Sequence, residues 1–180
     1  FAREASLDKQ PGRQYLGVMA TARTLTSTQV RLVAAIMQSI LELRVPDEYK
    51  DPYWTLVSYF NTIRELGRTS TLALDDIKDY IRRVARRHGT QIREYLQPYE
   101  LTGSRKSADI PTMLAMLKQS YPRGNAIDLL HTSNMMSVGI DIERLGLMEM
   151  VSQPKSTAEY IQATSRVGRQ YPGLVITLFD

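Results

Sequence analysis

Cysteine is absent from this sequence of 180 residues, which excludes disulfides and cysteine-bound metals. That usage fits a cytoplasmic protein. Histidine is nearly absent too: only His88 and His131 occur, too few for a histidine-rich zinc site, and no metal-ligating set is found. No apolar run approaches the roughly 18 residues that would suggest a membrane span. A signal peptide would need a charged start, an apolar stretch and a small-residue cleavage site, and no such succession occurs. Neither charge dominates. The 23 basic and 19 acidic residues leave +4, which permits a polyanionic partner without requiring one. Internal repeats and low-complexity tracts are lacking as well.

What is present suits one packed domain: 43% of the residues are hydrophobic. The chain opens at Phe1 and stops at Asp180 directly after an apolar run, and reads as part of something longer, with residues 1–50 an extension or a leading strand–helix unit. Residues 14–20, 54–60, 126–130, 145–151 and 173–179 are short apolar or β-forming runs that predict strands. Between them, Val30, Val33, Ala34, Met37, Ile40 and Leu41 recur at helical spacing over 29–43, with Thr26 or Ser27 as cap. Residues 45–52 read as a proline-bounded loop, 62–66 as a short helix capped by Asn61 and ended by Gly67, and 95–107 as irregular. Asp75 and Asp76 open a helix that Gly89 stops, 109–119 is helical, and Ser156 with Glu159 has capping-box spacing. Strands alternating with helices, without hairpin turn signals, predict an α/β fold: a mostly parallel sheet flanked by helices on both faces.

The helix that begins at Thr157 carries the most chemistry. If it continues past Val167, Gln162, Arg166 and Arg169 project from one face. Guanidinium groups are permanently charged and fork onto phosphate oxygens, and Gly168 between them permits close approach. Taken alone, Arg-x-x-Arg is an ordinary basic helix end. Its surroundings argue otherwise. Gln162-x-x-x-Arg166-x-Gly168-Arg169 resembles motif VI of superfamily 2 helicases. Upstream, Ser133-Asn-Met-Met-Ser-Val-Gly139-Ile-Asp141 resembles motif V, and the two occur in that family's order. Residues 55–67 correspond to motif IV, and the stretches from Ser137 to Met148 and from Gln153 to Arg169 are similar to the helicase component of the DISARM antiphage defence system.

The resemblance implies a RecA-like second motor domain and a role for each matching residue. Arg166 and Arg169 match the arginines that reach ATP on a preceding RecA-like domain; Gln162, Gly139 and Asp141 match positions near that nucleotide; Ser133 matches a hydroxyl that meets a nucleic-acid phosphate. ATP and Mg2+ would be held mainly by the preceding domain. Nucleic acid, DNA above RNA, is the implied partner. No Walker A lysine and no Asp-Glu-x-His string is found, so this chain alone is expected not to hydrolyse ATP. The alternative is a non-catalytic nucleic-acid-binding module. Three further features bear on nucleic-acid contact. Residues 101–107 lack the glycine-lysine ending of a phosphate loop, but Thr102, Ser104 and Arg105 suit a nucleic-acid backbone as well as they suit solvent. Arg82, Arg83, Arg86 and Arg87 form two stripes that read as a solvated face, because Asp75, Asp76 and Asp79 offset them. Trp54, Tyr59 and Phe60 read as core rather than as base-stacking groups.

Overall fold

The computed structural model describes residues 12–21, 23–95, 97–103, 110–133 and 141–180. Its strands are β1 (Arg13–Met19), β2 (Leu56–Phe60), β3 (Tyr99–Leu101), β4 (Leu129–Ser133), β5 (Leu147–Val151) and β6 (Gly173–Phe179). They form one sheet in the order β1-β6-β5-β2-β4-β3, and every neighbouring pair is parallel. The helices are α1 (Leu25–Glu42), α2 (Asp47–Trp54), α3 (Ile63–Leu74), α4 (Asp76–His88), α5 (Ile110–Leu117) and α6 (Thr157–Thr164). Parallel strands require crossovers, and helical crossovers cover both faces of a sheet. The three central strands β2, β4 and β5 are accordingly buried at every residue. One face packs Val57, Met148 and Met150 against Met113, Leu117 and Ala163 of α5 and α6. The other packs Leu56, Leu129 and Leu147 against Val33, Met37, Ile77 and Ile81 of α1 and α4. Trp54, Tyr59 and Phe60 are all buried, as core residues should be.

Local structure departs from the sequence reading at several places, some through tertiary packing and some through a different local cap. The expected loop at 45–52 contains α2, whose Pro52 and Trp54 are buried. Trp54 stacks on Tyr121 with ring centroids 3.5 Å apart. Eight residues are too few for a helix stable in isolation, so this packing maintains it. α3 does not stop at Gly67: it runs on to Leu74 because Leu66, Thr69 and Ala73 face the interior, and that burial outweighs the roughly 1 kcal/mol a mid-helix glycine costs. Its cap is Thr62 rather than Asn61, accepting from Glu65 N at 3.2 Å. Likewise α1 begins a turn early, capped by Thr24, which accepts from Ser27 N at 3.2 Å. Finally, the tract expected to be irregular supplies β3, paired with β4, and β4 itself starts at Leu129 rather than 126.

A polar rung crosses the α1 face beside the apolar rung of Leu56, Leu129 and Leu147. Ser58 is level with both His131 and Glu149, and all three are fully buried. Ser58 Oγ donates to Glu149 Oε2 at 2.8 Å and Gln29 Nε2 donates to the same oxygen at 3.3 Å. Thr69 Oγ1 donates to Gln29 Oε1 at 3.2 Å, and Ser70 Oγ lies 2.8 Å from His131 Nδ1. The network ties α1 and α3 to the sheet. Burial pushes the Glu149 carboxyl up to about 7, against the pull of the Ser58 and Gln29 hydrogen bonds. It holds the His131 imidazole down, to about 3.

These shifts have opposite consequences. A carboxyl whose pKa rises on folding contributes stability that is complete below its unfolded value of 4.5 and is lost as pH climbs through 7. An imidazole whose pKa falls contributes stability present above 6.5 and lost as pH drops toward 3. Over the middle of the range the two slopes oppose, so the native protein alone shows little. Comparison with Glu149→Gln isolates the carboxyl. In urea unfolding the variant should gain on the native protein by about 3 kcal/mol between roughly pH 4 and pH 8. A stability difference that stays constant over that range would mean the carboxyl is not held neutral by the fold.

Candidate functional site

α6 is placed by its two ends and its buried side. Ser156 Oγ accepts from Glu159 N at 3.1 Å, completing the cap expected from sequence. Glu159 Oε1 accepts from Tyr59 OH at 2.7 Å, and Tyr160 OH lies 3.0 Å from Thr177 Oγ1, so β2 and β6 both hold the helix. Ala163 and Thr164 are buried.

Past Thr164 the helix ends, which corrects the expectation of one helical face bearing Gln162, Arg166 and Arg169. The chain instead tightens through Arg166 N→Ala163 O at 3.1 Å and Val167 N→Thr164 O at 3.4 Å. Val167 is buried. Gly168 follows with φ of 71°, in the left-handed region, and donates its N–H to Leu145 O at 2.8 Å. A Cβ on Gly168 would lie 2.7 Å from Gly173 Cα. The turn is therefore set by contact between two backbones that only glycine allows, the start of β6 lying directly against it.

Two residues outside the sequence-predicted set hold this arrangement. Arg13, at the start of β1, donates from Nε to Val167 O at 2.7 Å and from Nη2 to Ser165 O at 3.2 Å. A cation there satisfies carbonyls left open at the helix end. Arg144 is buried and donates to Leu117 O at 2.9 Å, to Asp51 O at 3.0 Å and to Thr55 Oγ1 at 2.6 Å. Its ion pair with Asp51, at 3.1 Å, partly offsets the burial that lowers its pKa. The strand approach that begins at Asp141 is thereby pinned three residues further on. Nothing local marks Arg144 or Arg13 as a buried or turn-holding cation.

The outcome is a contact between two of the predicted site residues. Arg169 Nη1 donates to Asp141 Oδ1, and Arg169 Nε donates to Ser165 O at 3.3 Å. The side chains are 33% and 64% exposed. An ion pair so exposed contributes no more than about 1 kcal/mol, so a stronger anion can take the guanidinium from Asp141 at little cost. Gln162 is exposed beside this turn and Arg166 is half-buried within it.

Thr102 and Ser133 stand elsewhere. The register that sets Leu101 opposite Thr132 makes them neighbours at the carboxyl ends of β3 and β4, and both are largely buried. Asp141 and the 165–169 turn precede the amino ends of β5 and β6. The predicted residues thus divide between opposite edges of the sheet, separated by a strand of about 17 Å. Gly139, Ser104 and Arg105 lie outside the described residues.

Known proteins resemble this chain in sequence and in fold. Residues 90–171 match the family described as the helicase conserved C-terminal domain. Over its whole length the chain is 43% identical to DISARM protein DrmA of Bacillus paralicheniformis, of which it spans 16%. Among solved structures it superposes on Mss116p DEAD-box helicase domain 2 bound to an RNA duplex with a TM-score of 0.62 at 12% identity, covering 92% of this chain and 54% of that one. It also superposes on the DUF1998 helicase MrfA bound to DNA, with a TM-score of 0.61 at 17% identity, covering 95% of this chain and 20% of that one. At such identities the superpositions speak for the fold, and the fold is RecA-like.

Proposed function

From a chain that belongs to the C-terminal domains of superfamily 2 helicases, we propose a second motor domain that lends arginines to ATP bound on a preceding RecA-like domain and grips a nucleic-acid backbone at its opposite edge. The observation that carries this reading is Arg169, aimed by a positive-φ glycine turn and held, among the described residues, by an exposed carboxylate and one carbonyl. ATP supplies a transferring phosphoryl group whose charge spreads over its oxygens, and positioned cations stabilise that spread. Arg169 is the charge delivered to it, Asp141 keeps the guanidinium oriented until then, and Arg166 and Gln162 flank the same turn. Among the described residues no cluster of three or more histidine, aspartate or glutamate side chains is arranged for a metal ion, and this reading assigns Mg2+ to the preceding domain.

Ser133 and Thr102 are the backbone-gripping hydroxyls in this scheme. Linking the two edges through the rigid sheet couples phosphate contact to movement along a strand. DNA is the favoured polymer, as in the MrfA complex, and since the Mss116p complex holds RNA, binding is measured with both. The likeness to a DISARM protein sets the activity, in this proposal, in antiviral defence.

Steady-state ATPase of the isolated chain is the direct test of the division of labour. No turnover above background is expected. Robust turnover that a single substitution within the chain abolishes would sink the two-domain reading. Salt-dependent nucleic-acid binding combined with ATP turnover of the full-length protein that is indifferent to Arg169 would leave a non-catalytic binding module instead.

A further inference from the structure

A cavity of about 390 Å³ opens where the first turns of α1, the middle of α3 and the first two turns of α4 meet. Three arginines from three different helices line it: Arg31, Arg68 and Arg83. None of the three makes a hydrogen bond or ion pair with another described residue; Arg31 lies over the Tyr80 ring at 5.2 Å, and Tyr80 forms part of the wall. Arg68 and Arg83 are exposed to solvent, so an anion that enters the cavity can take up their charge without breaking a contact within the domain.

The break between α3 and α4 creates this place. α3 ends at Leu74 and α4 restarts at Asp76. Beyond the break α4 runs alongside α1 in the same direction, since Arg31 meets Tyr80 near one end and Glu42 meets His88 near the other. An unbroken helix would not bring Arg68 and Arg83 to the same hollow.

Two aspartates also line the cavity, Asp76 and Asp79. Asp79 is already engaged by Arg82 at 2.7 Å. Three guanidiniums against two carboxylates leave one net positive charge. That matches a phosphodiester, with one negative charge per unit, better than a free triphosphate. Position agrees. The lining turns of α1 follow the carboxyl end of β1, and α3 follows that of β2, so the cavity belongs to the same sheet edge as Ser133 and Thr102. Arg64, exposed in the first turn of α3, lies one helical turn before Arg68 and continues the basic track between them.

We propose that the Arg31–Arg68–Arg83 cavity is an additional backbone-phosphate site, which a single strand reaches only after crossing the edge that carries Ser133 and Thr102. The proposal rests on the nucleic-acid reading given above and adds a second contact region to it. In this proposal the strand passes over the outer surface of the first turns of α1 and α4, and its length sets whether the site is filled.

Fluorescence anisotropy of the full-length protein with labelled oligothymidylates of two lengths, about 6 and about 20 nucleotides, tests it. Each measurement is a salt titration, repeated with oligouridylates to compare RNA. For the long strand, the triple variant Arg31→Gln, Arg68→Gln, Arg83→Gln should flatten the plot of log affinity against log salt by about 0.7 unit of slope, the amount for one phosphate no longer neutralised on a single strand. Binding of the short strand should not change. Asp76→Asn, which removes a repelling carboxylate from the same cavity, should tighten the long strand about threefold and leave the short one alone; a gain cannot come from a damaged fold. A native slope in the triple variant, equal losses on both lengths, or no tightening in Asp76→Asn each overturn the proposal while leaving the roles of Arg169 and Ser133 standing. Absence of salt-dependent binding by the native protein to either length would overturn the reading beneath it.

Discussion

Arg169→Ala in the full-length protein should lower nucleic-acid-stimulated ATP turnover by about 10³-fold or more, the range associated with loss of an arginine finger, with little change in thermal unfolding. The two halves of that expectation come from one geometry. Arg169 makes an exposed ion pair with Asp141 and one further hydrogen bond to Ser165 O, so removing it costs the fold little. In the proposed role its value lies in the charge it delivers to ATP. Arg169→Lys sharpens the test: the charge stays, the planar fork is lost, and turnover should remain well below native. Asp141→Asn should be milder than either, because Asp141 orients the guanidinium and does not replace it. Steady-state kinetics at saturating nucleic acid, read beside a melting curve, decide the matter. An unchanged kcat for Arg169→Ala would mean that some other cation serves the phosphoryl group.

Gly168→Ala should be nearly as damaging by a different route. The backbone there has φ of 71°, a region that costs an L residue roughly 1–2 kcal/mol. A Cβ would also sit 2.7 Å from Gly173 Cα and 2.9 Å from Gly173 N, both backbone atoms that no rotamer change can move. The turn or the start of β6 must shift, and either shift carries Arg169 with it. A displacement of about 1 Å in a positioned group costs on the order of 10²-fold in rate. Turnover should therefore fall by about that factor and stability should fall as well, which separates this variant from Arg169→Ala. Full activity with native stability in Gly168→Ala would show that the turn is not constrained by its contact with Gly173.

How far the sequence could be read depended on the range of the forces involved. Largely apolar runs such as those at Leu56–Phe60 and Gly173–Phe179 indicated strands, because a strand buried on both faces is mostly apolar. Ser156 three residues before Glu159 indicated the start of α6, since a cap is a contact between near neighbours. Gly89 likewise stopped α4, in the left-handed conformation its position implied. α2 was not legible: prolines and acidic residues make an ordinary loop until Trp54 finds Tyr121, 67 positions along the chain. Nor was the rung of Ser58, His131 and Glu149, which exists only because β2 pairs with β4 on one side and β5 on the other.

The candidate site divides in the same way. Residue types and their order along the chain already pointed to arginines at 166 and 169, a glycine between them and an aspartate at 141. Periodicity then extended the helix too far, because nothing within a few residues announces that Arg13 and Leu145 will bind the turn at Ser165, Val167 and Gly168.

The sequence by itself determined the alternation of strand and helix, the parallel α/β class, the caps at Ser156 and Gly89 and the chemical inventory of the two motifs, since each depends on periodicity or on contacts within a turn. The tertiary structure alone decided where α6 ends, that Arg169 meets Asp141, that Ser133 and Thr102 stand at the far edge, and that three arginines share one hollow. The physical reason is strand order: β6, last in the chain, inserts between β1 and β5, which brings Arg13 to a turn 154 residues away.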